Sequence, residues 1–394
     1  MTSTDIAPGG TTGRGTRMKR MVGVALAALL AVGVVLAVVL GPRIGRDDPG
    51  AGSGNGAGAA SATTSGLRTV RGAVGSEKEA FFRDATVRQA FARHGLDVQV
   101  TPVGSRDIAA MTDLATYDFA FPSSVPAADR IRRAGKSKGT YSPFFSPIAV
   151  ASYRPIVDVL RRQGIVTSGP GGAQTISMAK YYALAQKGTR WDQIPGNDAY
   201  PAGKNVLITT TDVRRSNSAA MYLALTSYVA NGGRVVPSST AAAQVVPKVS
   251  PLFLDQGYVG GSSEGPFEDY LSAGMGKTPM VLIYESQFLD RQIRKDGSIT
   301  PDMVLLYPTP DVLSKHTLVA LGDTGSQVGR LLTSDPELVR AAARYGFRPQ
   351  QRAVLTSVLK EAGVAPPPDL VDVIEPPTYE VLESLITGVE KLYG

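Results

Sequence analysis

The run Arg214-Arg215-Ser216-Asn217-Ser218 sits in Asn205 to Leu225, between an apolar stretch with strand character and a small-residue stretch with helix character. Ser216, Asn217 and Ser218 are all residue types that cap helix starts. The first N–H groups of a helix have no partner within it and carry the positive end of its dipole. Arg214 and Arg215 add fixed charge beside them. The chemistry this offers is non-covalent capture of an anion or polar group. The same residues also serve as an ordinary cap, so the rest of the chain has to decide between the two.

Catalytic alternatives fail on spacing. Gly261-Ser262-Ser263-Glu264-Gly265 matches G-x-S-x-G, but a nucleophile elbow needs a strand directly before its Ser and a helix directly after, and the Gly-rich approach and Pro266 fit that poorly. Gly274-Met275-Gly276-Lys277-Thr278 resembles a phosphate loop whose first Gly would fall at Leu271, and a strand follows it rather than a helix. Ser357-Val358-Leu359-Lys360 reads S-x-x-K without the companion motifs. The only candidate bases of the histidine type are His94 and His316, and there is no cysteine, so neither a Ser-His pair nor a zinc site is expected. The expectation is no catalytic residue, no cofactor and no metal.

The elements that would position a polar site come in strand-to-helix units. Val70 to Val74 is a strand, Gly75-Ser76-Glu77-Lys78 its turn, and Glu79 to His94 a helix with Phe81, Phe82, Val87 and Phe91 on one face. Leu96 to Val103 repeats the pattern and runs through Gly104-Ser105-Arg106. Tyr117 to Phe121 repeats it again through Pro122-Ser123-Ser124. Alternation of this kind predicts a parallel sheet, and open parallel sheets take ligands beyond the carboxyl ends of their strands, where all three turns fall.

Tyr141 to Tyr153 then forms a long proline-marked strand suited to crossing into a second α/β lobe. That lobe is expected to contain helix Pro155 to Gln163, the Gly-rich loop Ser168 to Gly172, helix Ile176 to Lys187, Trp191 as packing, and the Asn205 strand with its turn. Helix Pro266 to Ala273 and the strands Pro279 to Tyr284 and Asp302 to Tyr307 follow, the strands returning the chain to the first lobe. Tyr284 and Glu285 end a strand near that return, where Glu285 could meet a ligand amine or pair with a local Arg. Helix Pro336 to Tyr345, Gly346-Phe347-Arg348-Pro349 and two proline-broken helical segments complete the chain.

The net charge of +7 does not indicate nucleic acid. Arg14, Arg17, Lys19, Arg20, Arg43 and Arg46 face only Asp5 within residues 1 to 46, and the rest of the chain is nearly balanced. Met21 to Pro42 holds no charged residue, and about twenty residues at about 1.5 Å each span a hydrocarbon core of about 30 Å. An uncleaved anchor over Met21 to Leu40 is the reading, with the basic N-terminus cytoplasmic and the remainder outside. Asp47 to Gly66 is a Gly/Ala/Ser tether.

The order of these features resembles the type 2 periplasmic, or extracellular, solute-binding proteins. It rests on first-lobe turns of the GSEK and PSS kind, the crossover strand YSPFFSPIAVA, the turn RRSNSAAMYLAL and the ending LLTSDPELVRAAARYGFRP, its most specific match. The resemblance spans about Leu67 to Pro349. It implies two α/β lobes joined by hinge strands, a small polar or anionic solute clamped between them, and an ABC importer as partner. It implies that Ser76, Ser123, Ser124, Ser216, Asn217 and Ser218 hold an oxyanion, with Lys78, Arg106, Arg214 and Arg215 adding charge if they converge. The expected organisation is 1-20 cytoplasmic, 21-42 anchor, 43-66 linker, 67-145 with 300-394 as lobe I, and 146-299 as lobe II. Family lipoproteins are tethered through a Cys that this chain lacks. The alternative is therefore a sensor or envelope-interaction protein that reuses the fold.

Overall fold

The structure is a computed structural model of the 394-residue chain, and it describes residues 66–393 except 136, 170–171, 257–259 and 371. The expected cytoplasmic segment, the anchor and all of the linker but Gly66 lie outside the described residues. Among the described residues no helix is long and apolar enough to cross a membrane.

Strands β1 (Arg68–Gly75), β2 (Leu96–Val103) and β3 (Phe119–Phe121) pair in parallel with β1 in the middle, as strand-helix alternation requires. The expected helix Glu79 to His94 is two, Glu79–Arg83 and Ala85–Arg93. Asp84 breaks it by accepting from the N–H groups of Thr86 (2.7 Å) and Val87 (3.1 Å), so the polar residue caps a new helix instead of continuing the old one.

The long strand β4 (Gly139–Tyr153) joins the halves. Its first part runs antiparallel to β9 (Asp311–Ala320), from Gly139↔Ala320 to Pro147↔Leu313, and β9 in turn pairs with β3. From Ile148 onward β4 pairs instead with β7 (Met280–Tyr284) and β8 (Met303–Thr309). Beyond β8 lie β6 (Gln174–Ser177) and β5 (Val166–Ser168). One continuous strand thus serves two α/β layers. The chain returns through β8 into β9, while Pro279 to Tyr284 stays in the second lobe against β4.

Two elements differ from expectation. Ile176 and Ser177 belong to β6, and the helix begins at Met178. A short apolar run satisfies either period, and pairing with β8 decides it. The stretch from Asn205 is not a regular strand. Thr209 exchanges hydrogen bonds with Met280 and Leu282 on β7 (3.0 and 2.8 Å), but the N–H groups of Thr210 and Asp212 turn to the Gln256 side chain (2.6 Å) and the Gly260 carbonyl (2.9 Å). Its ladder therefore stops after one residue.

The helix Asn217–Ala230 is the centre of the second lobe. Asn217 through Ser227 are all buried, and Tyr222 packs among Tyr181, Phe253 and the strands. Trp191 is fully buried in the same core, so it packs rather than stacks on a ligand. The first lobe's core is aromatic, built from Phe81, Phe82, Phe91, Phe119, Phe121 and Phe144, with Phe347 stacked on Phe144 at 4.4 Å.

Residues 300–394 do not all belong to lobe I. Leu306 of β8 lies in the second core. So do Val381, Leu382, Leu385, Ile386 and Val389 of the last helix, Tyr379–Glu390, whose apolar face lies on helix Ser239–Val249. Between them, β10 (Arg348–Pro349) pairs with β4, helix Arg352–Ala362 packs on Pro336–Arg344, and β11 (Val373–Ile374) pairs with β9.

Gly346 stands where the chain turns from helix Pro336–Arg344 to Phe347. Its φ is +74°, and a Cβ there would lie 2.4 Å from the Ser286 carbonyl oxygen. Gly346→Ala should lower the unfolding free energy by about 2–4 kcal/mol, read as a fall in the urea midpoint at constant slope.

Candidate functional site

The parallel strands of the first lobe end at one sheet edge, so their turns converge. β1 delivers Gly75 and the single 3-10 turn Ser76–Lys78, β2 leads to Ser105, and β3 leads to Pro122, Ser123 and Ser124, the last being the N-cap of helix Val125–Ala134. Lys78 turns inward with no exposed surface. Its Nζ donates to Ser123 Oγ (2.9 Å), lies 3.0 Å from His316 Nδ1, pairs with the Glu77 carboxylate, and sits 4.9 Å from the Phe121 ring centroid. Ser123 also donates to Glu77, and its hydroxyl is 2.8 Å from that of Ser105.

Electrostatics keep this cluster balanced. Burial alone would raise the Glu77 carboxyl, but the Lys78 ammonium and the Ser123 hydroxyl hold it down at about 2, so it is ionised. Burial lowers the Lys78 pKa against the pull of Glu77. Burial, reinforced by the ammonium, lowers His316 well below its ordinary range, leaving a neutral ring. The cluster is thus one buried ion pair plus hydrogen-bonding neutral groups.

The second-lobe turn lies against it. Ser216 is the N-cap of helix Asn217–Ala230, yet its hydroxyl faces Ser218 Oγ at 2.9 Å and makes no cap bond. Asn217 Nδ2 lies 3.0 Å from Tyr284 OH and 3.4 Å from both the Ser123 carbonyl and Ser314 Oγ. Ser76 meets Ser262 at 2.9 Å. Arg106 Nε donates to the Arg214 carbonyl (3.0 Å), and Arg215 lies 3.5 Å from Asp107. A Cβ on Gly104 would come within 2.9 Å of the Arg215 carbonyl oxygen. The two walls expected to face each other are in direct contact.

The arginines expected to attract an anion are committed elsewhere. Arg214 pairs with Asp212 (2.6 Å) and lies over the Tyr393 ring, while Arg106 forks onto Glu383 of the last helix. Of its two expected roles, Glu285 shows the pairing with an Arg. It has no exposed surface and is sealed by Arg348, with Nε–Oε1 at 2.7 Å and Nη2–Oε2 at 2.5 Å. His316, Ser314, Ser262 and Glu383 are site residues that the sequence reading missed. For His316 and Ser314 a signal existed, because Val312, Ser314, His316 and Leu318 alternate along β9 and share its inward face.

Open space remains at one end of the seam. A cavity of about 370 Å3 is lined by Ser76, Glu77, Glu79, Arg83 and Tyr345 from the first lobe and by Phe267, Glu264, Gln287, Asp290, Arg291 and Arg294 from the second. Its guanidiniums face carboxylates: Arg83 with Glu79, Arg291 with Glu264, and Arg294 with Asp290. Such a lining can hydrogen-bond a polar guest from both lobes. Ser123 beside Lys78 has the residue types of a Ser-Lys nucleophile, but Glu77 holds the ammonium as its counter-ion, and both Ser123 and Lys78 are sealed from solvent. Ser263 donates to Gln287, His94 pairs with Asp335, and neither His bonds a serine among the described residues.

No protein-family model and no curated protein sequence matches the chain. Solved structures do. The substrate-binding protein of an ABC transporter from Agrobacterium tumefaciens aligns over 84% of this chain and 95% of its own, at 13% identity and TM-score 0.52. Iron-bound HitA from Pseudomonas aeruginosa aligns over 82% and 99%, at 12% identity and TM-score 0.51. The periplasmic binding protein AfuA from Actinobacillus pleuropneumoniae, with fructose-6-phosphate bound, aligns over 82% and 96%, at 9% identity and TM-score 0.51. The described fold is that of the two-lobe solute-binding proteins, and these neighbours are binding proteins rather than enzymes.

Two outcomes test the buried cluster. Lys78→Met should cost about 3–5 kcal/mol because it strands Glu77, and adding Glu77→Gln should recover much of that loss. Because folding depresses both His316 and Glu77, their contributions are present above the unfolded values of 6.5 and 4.5 and disappear as pH falls. Because Lys78 is lowered as well, unfolding free energy measured by urea titration should already fall as pH drops below 10.5, fall further below about pH 6.5 and again as Glu77 titrates toward about 2, and His316→Gln should remove the middle decline alone.

Proposed function

We propose that the chain is an extracytoplasmic solute-binding protein, held at the cell membrane by Met21 to Leu40 with its N-terminus in the cytoplasm. It clamps a small polar solute between its lobes. The observation that carries this reading is the polar cavity at the seam, to which both lobes contribute hydrogen-bonding side chains. Its volume is within the usual range for small-molecule sites, about 300–1,000 Å3. Opening requires parting of Ser76–Ser262, Asn217–Ser123 and Arg106–Arg214, and a solute in the cavity beside them adds further bridges between the walls in the closed state.

The paired charges of the lining favour a solute with both donors and acceptors, such as a zwitterion or a polyol, over a bare oxyanion. An oxyanion at Lys78 would have to displace Glu77. The resemblance in fold to an ABC transporter's binding protein supports an importer in the same membrane as the partner. A second reading has its own observation: the hydroxyl and Lys78 part of the seam is already filled by the protein's side chains, as expected of a fold reused for sensing or docking in the envelope.

Thermal-shift screening of the full chain against amino acids, sugars, polyamines and oxyanions separates the two. A cleft solute at 100 times its Kd stabilises the native state by about 2.7 kcal/mol. Ser76→Ala and Arg83→Ala should each weaken that solute about tenfold, with little change in the unliganded melt. A melt that no class of solute moves supports the docking reading and overturns transport.

A further inference from the structure

A second and larger cavity, of about 1050 Å3, shares no residue with the interlobe site. Its walls are β8, one face of helix Arg154–Arg162, helix Arg352–Ala362 and the segment 364–370. The lining side chains include Val157, Phe288, Leu305, Leu313, Leu355 and Leu359. Leu305 and Leu313 keep part of their surface uncovered. Pro366, Pro367 and Pro368 form part of one wall, and proline has no N–H, so that wall presents few donors that an apolar guest would leave unsatisfied.

Charge is confined to particular places. Arg154, Asp158 and Arg161 follow one another at helical spacing on the face that lines the cavity. Arg161 pairs with Asp158, whereas the guanidinium of exposed Arg154 donates only to the Pro301 carbonyl (2.8 Å) and meets no carboxylate among the described residues. Arg352 is paired with Asp369. Inside, Arg348 neutralises buried Glu285 and reaches the Pro368 carbonyl at 3.3 Å. The lining therefore carries a net positive edge beside an interior that mixes apolar side chains with Gln174, Gln292, Gln350 and Thr356.

We propose that this cavity binds a single-chain anionic amphiphile, its acyl chain along β8 and Leu355 and its headgroup at Arg154 and Arg161. Each methylene taken out of water adds to the driving force, so a long chain suits such a site, and the unpaired guanidinium selects the charge. The site is independent of the solute cleft. It touches the cleft only through helix Glu285–Arg294, which turns Phe288, Leu289 and Gln292 to this cavity and Gln287, Asp290 and Arg291 to the other.

The test uses the full chain in vesicles of zwitterionic phospholipid, doped with photoactivatable palmitate or with the matching neutral alcohol, followed by peptide mapping of the adducts. Palmitate adducts are expected within 154–161, 303–313 and 352–370. Arg154→Glu with Arg161→Glu should reduce palmitate labelling there about tenfold and leave alcohol labelling unchanged. Thr356→Trp, at an exposed lining position, fills the space without emptying the core and should remove both. Labelling spread evenly over the surface, or insensitive to Thr356→Trp in a folded variant, overturns the site. Equal loss of acid and alcohol on charge reversal overturns the headgroup assignment.

Discussion

Taking the Lys78 ammonium wholly out of water would cost several kcal/mol were it not paired and hydrogen-bonded. The surrounding elements meet that requirement from different parts of the chain. The turn after β1 supplies Glu77, the turn after β3 supplies Ser123 and β9 supplies His316, with Ser105 oriented behind Ser123. These groups come together only if the parallel strands end in register and β9 lies beside β3. The second lobe then closes over an interior that is already neutral, touching it through Asn217 rather than through a charge. This accounts for two helix-start serines, Ser216 and Ser218, bonding each other rather than reaching across the seam.

The charged residues around the seam show why residue type alone misleads about a site. Arg106, Arg214 and Arg215 do converge, but each has a carboxylate beside it: Glu383, Asp212 and Asp107. Partly exposed pairs of this kind add little stability. They also cancel the positive potential that an oxyanion near the seam would feel. The mixed lining of the interlobe cavity follows the same pattern.

What was legible in the sequence was whatever a local period or turn determines. Leu96–Val103, the β4 crossing and the convergence of Ser76, Ser105 and Ser123 follow from strand alternation and strand ends. Ile176 was misread because a short apolar run satisfies both periods. Asn205 onward was misread because Gln256 and Gly260, far along the chain, take the N–H groups that a ladder would use. Glu285 could not be placed from sequence because its partner Arg348 is 63 residues away. The last helix was recognisable as a helix, but its lobe was set by an apolar face matching Ser239–Val249.

The return of that last helix to the second core means that neither lobe is a contiguous piece of polypeptide. The first sheet is incomplete until β9 has been synthesised, and the second core until Val389 has. Contacts that define the seam join residues 238 positions apart at Lys78 and His316 and 277 apart at Arg106 and Glu383. Closing such separations precedes the contacts that repay it, so high contact order slows the search. A nascent chain with only its first three hundred residues made holds the first-lobe turns but neither finished lobe, and through that interval its β3 edge and the Ser239–Val249 face stay uncovered.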